Sequence, residues 1–452
     1  MTLTKKFANA SLLPIGLLSI ALVSGSVSAA THMEPKWGFQ GKYILSVSDT
    51  DMLASAYVDG QLGVKEGTDK LSIIDLSAKP RDYSAVEVPA SNSVAGPPAA
   101  LSVDKAGKYA YIIETFTPRP TDNEKHTFAN LKPGNILTVY DLKDKSKPAL
   151  VAKHSIASRP DSVDISPDGQ WLLITYHPGK AEQHKPLGLY KMNKGNIEES
   201  YFPAIPDWKG SDRLTFASWS PDGKVIGLVN STKAEVSFYN FNPQSAAIEK
   251  WGNSVSVGKF PFIGRFSADS KHFLVNNLFW GTDVQGKWNE APNGTIVNIA
   301  LNSGTTKTGQ PRHALSSQVM VGPSPEGFAI SPSGDYVVTA NMERSWLPYD
   351  DSRQSWYSSL TLIKRDPTTG AMSALHTTPY DSILPESVVF DATGSHLAVT
   401  SFDHYDHTMP GGAIDFFKIV ADPLNSAEKM IMKTRWSVPV ARGPHTIVLI
   451  NE

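Results

Sequence analysis

Apolar positions fall in short runs separated by turn-forming clusters, and none of the runs that make up the repeat carries the period of a helix. Residues 159–177, RPDSVDISPDGQWLLITYH, show the unit most clearly. Val163 and Ile165, then residues 171–174, are too short for helices and are bounded by Pro160 and the Ser166-Pro167-Asp168-Gly169 turn, so they predict two adjacent antiparallel strands. Proline presets φ, aspartate bonds its own backbone and glycine accepts a positive φ, which together make a tight hairpin.

The same unit recurs along the chain, and an internal repeat sets the fold before any other feature does. Ser220-Pro221-Asp222-Gly223, Ser267-Ala268-Asp269-Ser270, Ser331-Pro332-Ser333-Gly334 and Asp391-Ala392-Thr393-Gly394 hold the turn position, and Gly107-Lys108-Tyr109 opens another second strand. Six inner strands are predicted over residues 100–103, 162–165, 216–219, 263–266, 327–330 and 387–390. A seventh entry, residues 443–448, has no second strand after it. Its complement lies at the other end of the chain, where residues 41–47 match 107–113 without a gap. Third strands begin near residues 71, 136, 187, 236, 295, 360 and 414, each followed by a weaker outer strand. The prediction is an all-β, seven-bladed β-propeller with four-stranded blades, its ring closed by one C-terminal strand against three N-terminal ones.

The proline before the inner strand, the SPDG turn and the run Tyr336-Val337-Val338-Thr339-Ala340-Asn341 resemble the YVTN-repeat and lactonase-like seven-bladed propellers over residues 40–450. The resemblance implies that architecture. It leaves the activity open, since propellers of this kind include lactone hydrolases, cyclases, redox subunits and binding scaffolds.

The N-terminus adds a compartment. Lys5 and Lys6 precede an apolar segment over residues 12–23, and Val27-Ser28-Ala29 places small residues where a signal peptidase reads, so residues 1–29 are expected to be a secretory signal and 30–452 a single propeller domain. The apolar part is too short to span a bilayer. Its removal takes away two lysines and no acid, leaving a charge of about −4, with no basic field for nucleic acid. The 452 residues include no cysteine, which excludes disulfides, thiolate metal sites, c-type haem attachment and a lipid-anchor cysteine. A periplasmic or secreted protein without a membrane anchor is expected.

Candidate chemistry sits on one face. First-to-second strand turns are all tight, whereas residues 49–69, 115–134, 178–186, 279–293, 342–357 and 403–412 form long connections on the opposite face. Just after the entry proline the aligned repeats carry Ala99, Asp161, Thr215, Phe262, Glu326, Glu386 and His445, expected at the mouth of the central channel. Glu326, Glu386 and His445 fall on successive blades, an arc able to exchange protons or hold a cation. A second column, at the end of each second strand, is polar throughout, and in it only Glu114 departs from the small polar and asparagine pattern enough to be a ligand-site candidate.

Asp403-His404-Tyr405-Asp406-His407 offers Asp403, His404 and His407 to a divalent ion such as zinc, calcium or copper. Residues 342–357 add Glu343, Arg344, Trp346 and Trp356, which with Trp280 could stack on a sugar or aromatic ligand. Three readings stay open. A lactonase-like hydrolase would use Glu326, Glu386, His445 and Arg344; a glycan lyase or glycan-binding propeller would use the loop tryptophans; a scaffold would present the loops to a protein partner. A metal-dependent redox or lyase role is a further alternative. No phosphate loop, nucleophile elbow or HExxH run occurs.

Overall fold

A computed structural model describes residues 38–451 apart from 92–97, 121–125, 179–184, 280–292 and 405–410. The expected signal segment, Trp280 and His407 lie outside the described residues. Seven antiparallel sheets of four strands succeed one another along the chain, with one two-residue extra strand in the fourth, Val255–Ser256. Blade 1 joins Pro444–Ile450 to Tyr43–Ser48, Lys70–Asp75 and Ala85–Pro89. Its innermost pairing sets Tyr43 opposite Ile450, Leu45 opposite Val448 and Val47 opposite Thr446. Blades 2 to 7 span residues 101–155, 160–201, 214–250, 261–323, 325–380 and 388–440. Both the strand count and the closure are as the repeat predicts. Within the described residues the helical elements are short, a four-residue turn Ala56–Asp59 and two three-residue 3-10 turns.

Burial explains why the alternation expected of a strand is weak in the inner repeats and clear in the outer ones. Trp171–Tyr176 is buried at every position, because a second strand is covered by a neighbouring blade on both faces, whereas the outer Asn196–Tyr201 is mostly exposed. Blades meet through apolar contacts: Leu45 and Val47 with Ile112 and Tyr140 between blades 1 and 2, and Val338 and Leu362 with Leu397 and Phe417 between blades 6 and 7. Between blades 3 and 4, Phe241 is wedged edge-on between Trp171 and Trp219, with ring centroids 5.1 and 4.9 Å away.

The hairpin turns follow the sequence chemistry. In blade 3 the Ser166 hydroxyl donates to Asp168 at 2.5 Å and accepts the Trp171 amide at 2.8 Å, while Gly169 takes φ 72°. Ser220, Asp222 and Gly223 repeat the arrangement in blade 4. These turns fix the register of each first pair, and with it the side chains that reach the channel.

Candidate functional site

The seven residues at this ring position, six of them preceded by proline and Thr215 by Leu214, are all buried. Glu326 is 4%, His445 2% and Glu386 0% exposed. Described parts of the long connections pack onto the ring: Met52, Ala56 and Leu62 from residues 49–69, Phe116 and Leu131 from blade 2, Trp346 and Leu347 from blade 6, and Phe402 from blade 7 join Ala99 and Phe262 of the ring in one apolar cluster. Arginines tie these loops together. Arg119 donates to the carbonyls of Asp51 and Gly63 at 2.8 and 2.6 Å, and Arg442 donates to those of Thr50 and Val64 at 3.3 and 3.1 Å.

Under this cover two carboxyls from neighbouring blades come together. Burial pushes Glu326 up to about 8. Glu386 is held well above the carboxylate range, first by burial and then by the charges of Glu326 and Asp49. Among the described residues neither oxygen of Glu386 has a hydrogen-bond partner. The phenol of Tyr57, on the short helix above, is likewise raised by burial and by the nearness of Glu386, Glu326 and Asp49. The backbone fixes the pair tightly. Asn276 donates to the carbonyls of Pro325 and Glu326 at 2.6 and 2.8 Å, and the Glu386 amide donates to Thr400 at 3.3 Å. A Cβ on Gly327 would stand 2.1 Å from the Glu386 carbonyl oxygen, so the two blades approach at a distance only glycine allows. Two raised carboxyls side by side, of unequal acidity, can accept a proton on the one that ionises first and donate from the one that stays protonated.

The other candidates take separate places. His445 shares the buried ring and has Nδ1 3.2 Å from the Thr446 hydroxyl. Asp161, on blade 3, is an ion-pair centre: burial pushes its pKa up, but Arg213 at 3.5 Å, His177 at 3.3 Å and Arg159 outweigh burial and leave it below the ordinary value. Glu114 is buried, which raises it, and accepts the Asn135 amide at 3.4 Å. Arg344 lies close enough to Glu343 and Asp351 for its charge to lower both carboxyls. Trp346, expected on a ligand wall, is 1% exposed and packs edge-on to Tyr57 in the core, at 6.2 Å. Trp356 is 61% exposed.

Asp403 and His404 are adjacent in sequence but engage different partners. The Asp403 carboxylate accepts the His404 amide at 2.8 Å, while His404 Nε2 lies 3.5 Å from Asp415. Burial lowers His404, and Asp415 more than restores it, raising the imidazole above its ordinary value. Asp415 also accepts from Ser401 at 2.7 Å and faces Lys433 at 3.6 Å. Among the described residues, three ligand atoms come within 4.8 Å of one another in two groups, the buried Asp49, Asp51 and Asp69 and the more superficial His376, Asp422 and Glu428. Reading the sequence missed Asp49, Tyr57 and Asp415. The first two lie on a long connection whose residues do not align with those of the corresponding connections, so alignment of the units could not place them.

No family model matches the chain, and no curated protein matches it in sequence. Solved structures do match. The periplasmic gluconolactonase of Pseudomonas aeruginosa superposes with a TM-score of 0.57 at 14% identity, covering 90% of this chain and 99% of that one. A candidate 6-phosphogluconolactonase of Bacteroides fragilis gives 0.57 at 12% identity over 92% and 100% of the two chains. A protein from Lactobacillus plantarum gives 0.58 at 10% identity over 90% and 99%. Likeness at such identity is likeness of fold. The chain has the architecture of the lactonase-like seven-bladed β-propellers.

Proposed function

We propose that the protein is an exported hydrolase of a lactone or similar cyclic ester, acting at the loop-covered end of the central channel through Glu326 and Glu386. The observation that carries this reading is Glu386, a fully buried carboxyl with both oxygens unpartnered among the described residues, beside a second raised carboxyl. Such an arrangement costs folding free energy, and groups of this kind concentrate where chemistry is done. In the proposed reaction Glu326, the more acidic of the two, takes a proton from water as the water oxygen attacks the acyl carbon. Glu386, the stronger proton holder, donates a hydrogen bond to the carbonyl oxygen. Collapse of the tetrahedral intermediate breaks the ring C–O bond, and the departing oxygen takes up the proton that Glu326 gained from water, which returns Glu326 to its basic form. The fold shared with a protein described as a periplasmic gluconolactonase supports the substrate class. Export is supported by the Lys5-Lys6 and Val27-Ser28-Ala29 pattern, and no helix among the described residues is long and apolar enough to cross a membrane.

The full burial of Glu386 favours a second reading, a propeller that binds a ligand or partner without turning it over. Assay of aldonolactones and other small lactones with the wild type, Glu326→Gln and Glu386→Gln separates them. Hydrolysis by the wild type that falls at least about a hundredfold in either variant, with melting preserved, supports the hydrolase. Absence of hydrolysis above the uncatalysed rate across the panel removes it.

A further inference from the structure

Away from the channel, blade 6 carries a cavity of about 570 Å³ on the loop face, with Trp356, Tyr357 and Tyr380 as its aromatic walls and Glu343, Asp381 and Ser359 among its polar lining. A volume of this size falls within the range of about 300–1,000 Å³ typical of small-molecule sites. The loop that presents it is pinned at several points. Trp346 and Leu347 anchor it in the core, the Ser345 hydroxyl accepts the Leu384 amide at 2.9 Å, the Ser355 amide donates to the Arg344 carbonyl at 3.3 Å, and Arg353 closes a 2.6 Å ion pair on Asp351. Tyr380 is fixed from behind by Phe417, edge-on at 5.0 Å. Yet the aromatic residues this loop displays stay exposed, Trp356 by 61% and Tyr349 by 52%, their rings 5.7 Å apart and tilted 38°. Flat apolar faces held in water by an ordered loop are the usual form of a stacking surface.

The charges narrow the ligand. Glu343 and Asp381 oppose an anion. An organic cation finds the Tyr380 ring already faced by the Lys433 ammonium, 5.5 Å from its centroid, and the same ammonium donates to the Asp381 carbonyl at 3.4 Å. Burial pushes the Glu343 carboxyl up and weakens it as a counter-ion, while its Oε1 accepts the Ser359 hydroxyl at 2.6 Å. What remains is a ligand with an apolar face and a rim of hydroxyls. From the exposed aromatic wall and the carboxyl and hydroxyl groups facing it across the cavity, we infer that blade 6 holds a binding site for a neutral pyranose, separate from the channel carboxyls.

The full-length protein is titrated by calorimetry and tryptophan fluorescence with methyl glucoside, methyl galactoside and methyl mannoside and with the disaccharides maltose and cellobiose, using glucuronate and tetramethylammonium as charged controls. Saturable binding of at least one neutral sugar is expected, weaker by about tenfold or more for Trp356→Ala and Glu343→Ala and unchanged for Glu386→Gln. Trp356 is exposed, so its variant should melt with the wild type, and a loss of binding then reports the site. Failure of every neutral sugar to bind, equal binding by Trp356→Ala, or tighter binding of tetramethylammonium than of any sugar overturns the inference.

Discussion

The Ser46 hydroxyl donates to the Thr446 carbonyl at 2.7 Å, joining residues 400 positions apart in the sequence. This bond belongs to the strand pair that completes blade 1, and the pair covers the whole of Tyr43–Ser48. A chain ending at Gly443 therefore lacks the only inner strand this blade has. It is expected to lose its cooperative thermal transition, whereas Ser46→Ala, which removes one buried hydrogen bond, should cost about 1 kcal/mol. Calorimetry of the two variants checks both, and an unchanged transition in the truncated chain would contradict the closure.

The channel acids give stability a pH dependence of defined sign. Glu326 titrates near 8 in the folded protein against an ordinary 4.5, so folding takes up protons between those values. Its contribution is complete below pH 4.5 and is lost as pH rises through 8, a fall on the order of 4 kcal/mol over that range. Urea midpoints measured from pH 5 to 8.5 should fall for the wild type and flatten in the Glu326→Gln, Glu386→Gln double variant. Parallel curves would show that these carboxyls are not raised.

If Glu326 is the base of the proposed hydrolysis, turnover after subtraction of the uncatalysed rate should climb with pH toward an apparent pKa near 8. The profile belongs to the pair rather than to one carboxyl. A flat profile from pH 6 to 9 would assign the proton transfer elsewhere.

Asp161 carries the opposite dependence. Arg213, His177 and Arg159 hold its pKa below the ordinary carboxylate value, so its contribution is present at neutral pH and lost as acid protonates it. Asp161→Asn leaves two arginines without their counter-ion beside blade 3 and is expected to cost about 3 kcal/mol at pH 7. A denaturation midpoint within error of the wild type would show the network to be energetically idle.

Gly327→Ala should also destabilise, by about 2 kcal/mol, because the added Cβ meets backbone of the next blade rather than a side chain able to move. The variant tests the approach of blades 6 and 7 that sets the two carboxyls side by side. Wild-type stability would mean that the blades are less closely packed there.

The ring was legible because turn chemistry is local. Asp168 and Gly169 announce their hairpin without help from the rest of the chain, and repeating the motif fixes the alignment that puts Glu326 and Glu386 in one column. The cover over that column was not legible. Trp346 and Trp356 stand ten positions apart in one loop with similar neighbours, yet one is a core anchor and the other lies in water, a choice made by what packs beneath the loop. The pair Asp403 and His404 failed to read as a unit for the same kind of reason. Adjacent loop residues diverge, and His404 turns to Asp415 on a strand whose alternation gives no hint of a buried acid.

The closing strand also makes the fold susceptible to exchange between molecules. Until Pro444–Ile450 arrives, Tyr43–Ser48 presents a full-length unpaired edge, and the matching strand of a second chain offers the same residues in the same register. At high concentration during refolding, two copies can trade their last strands and lock into a dimer in which every blade is native. Such a dimer would have the same spectroscopic signature as the monomer and be told from it by mass alone.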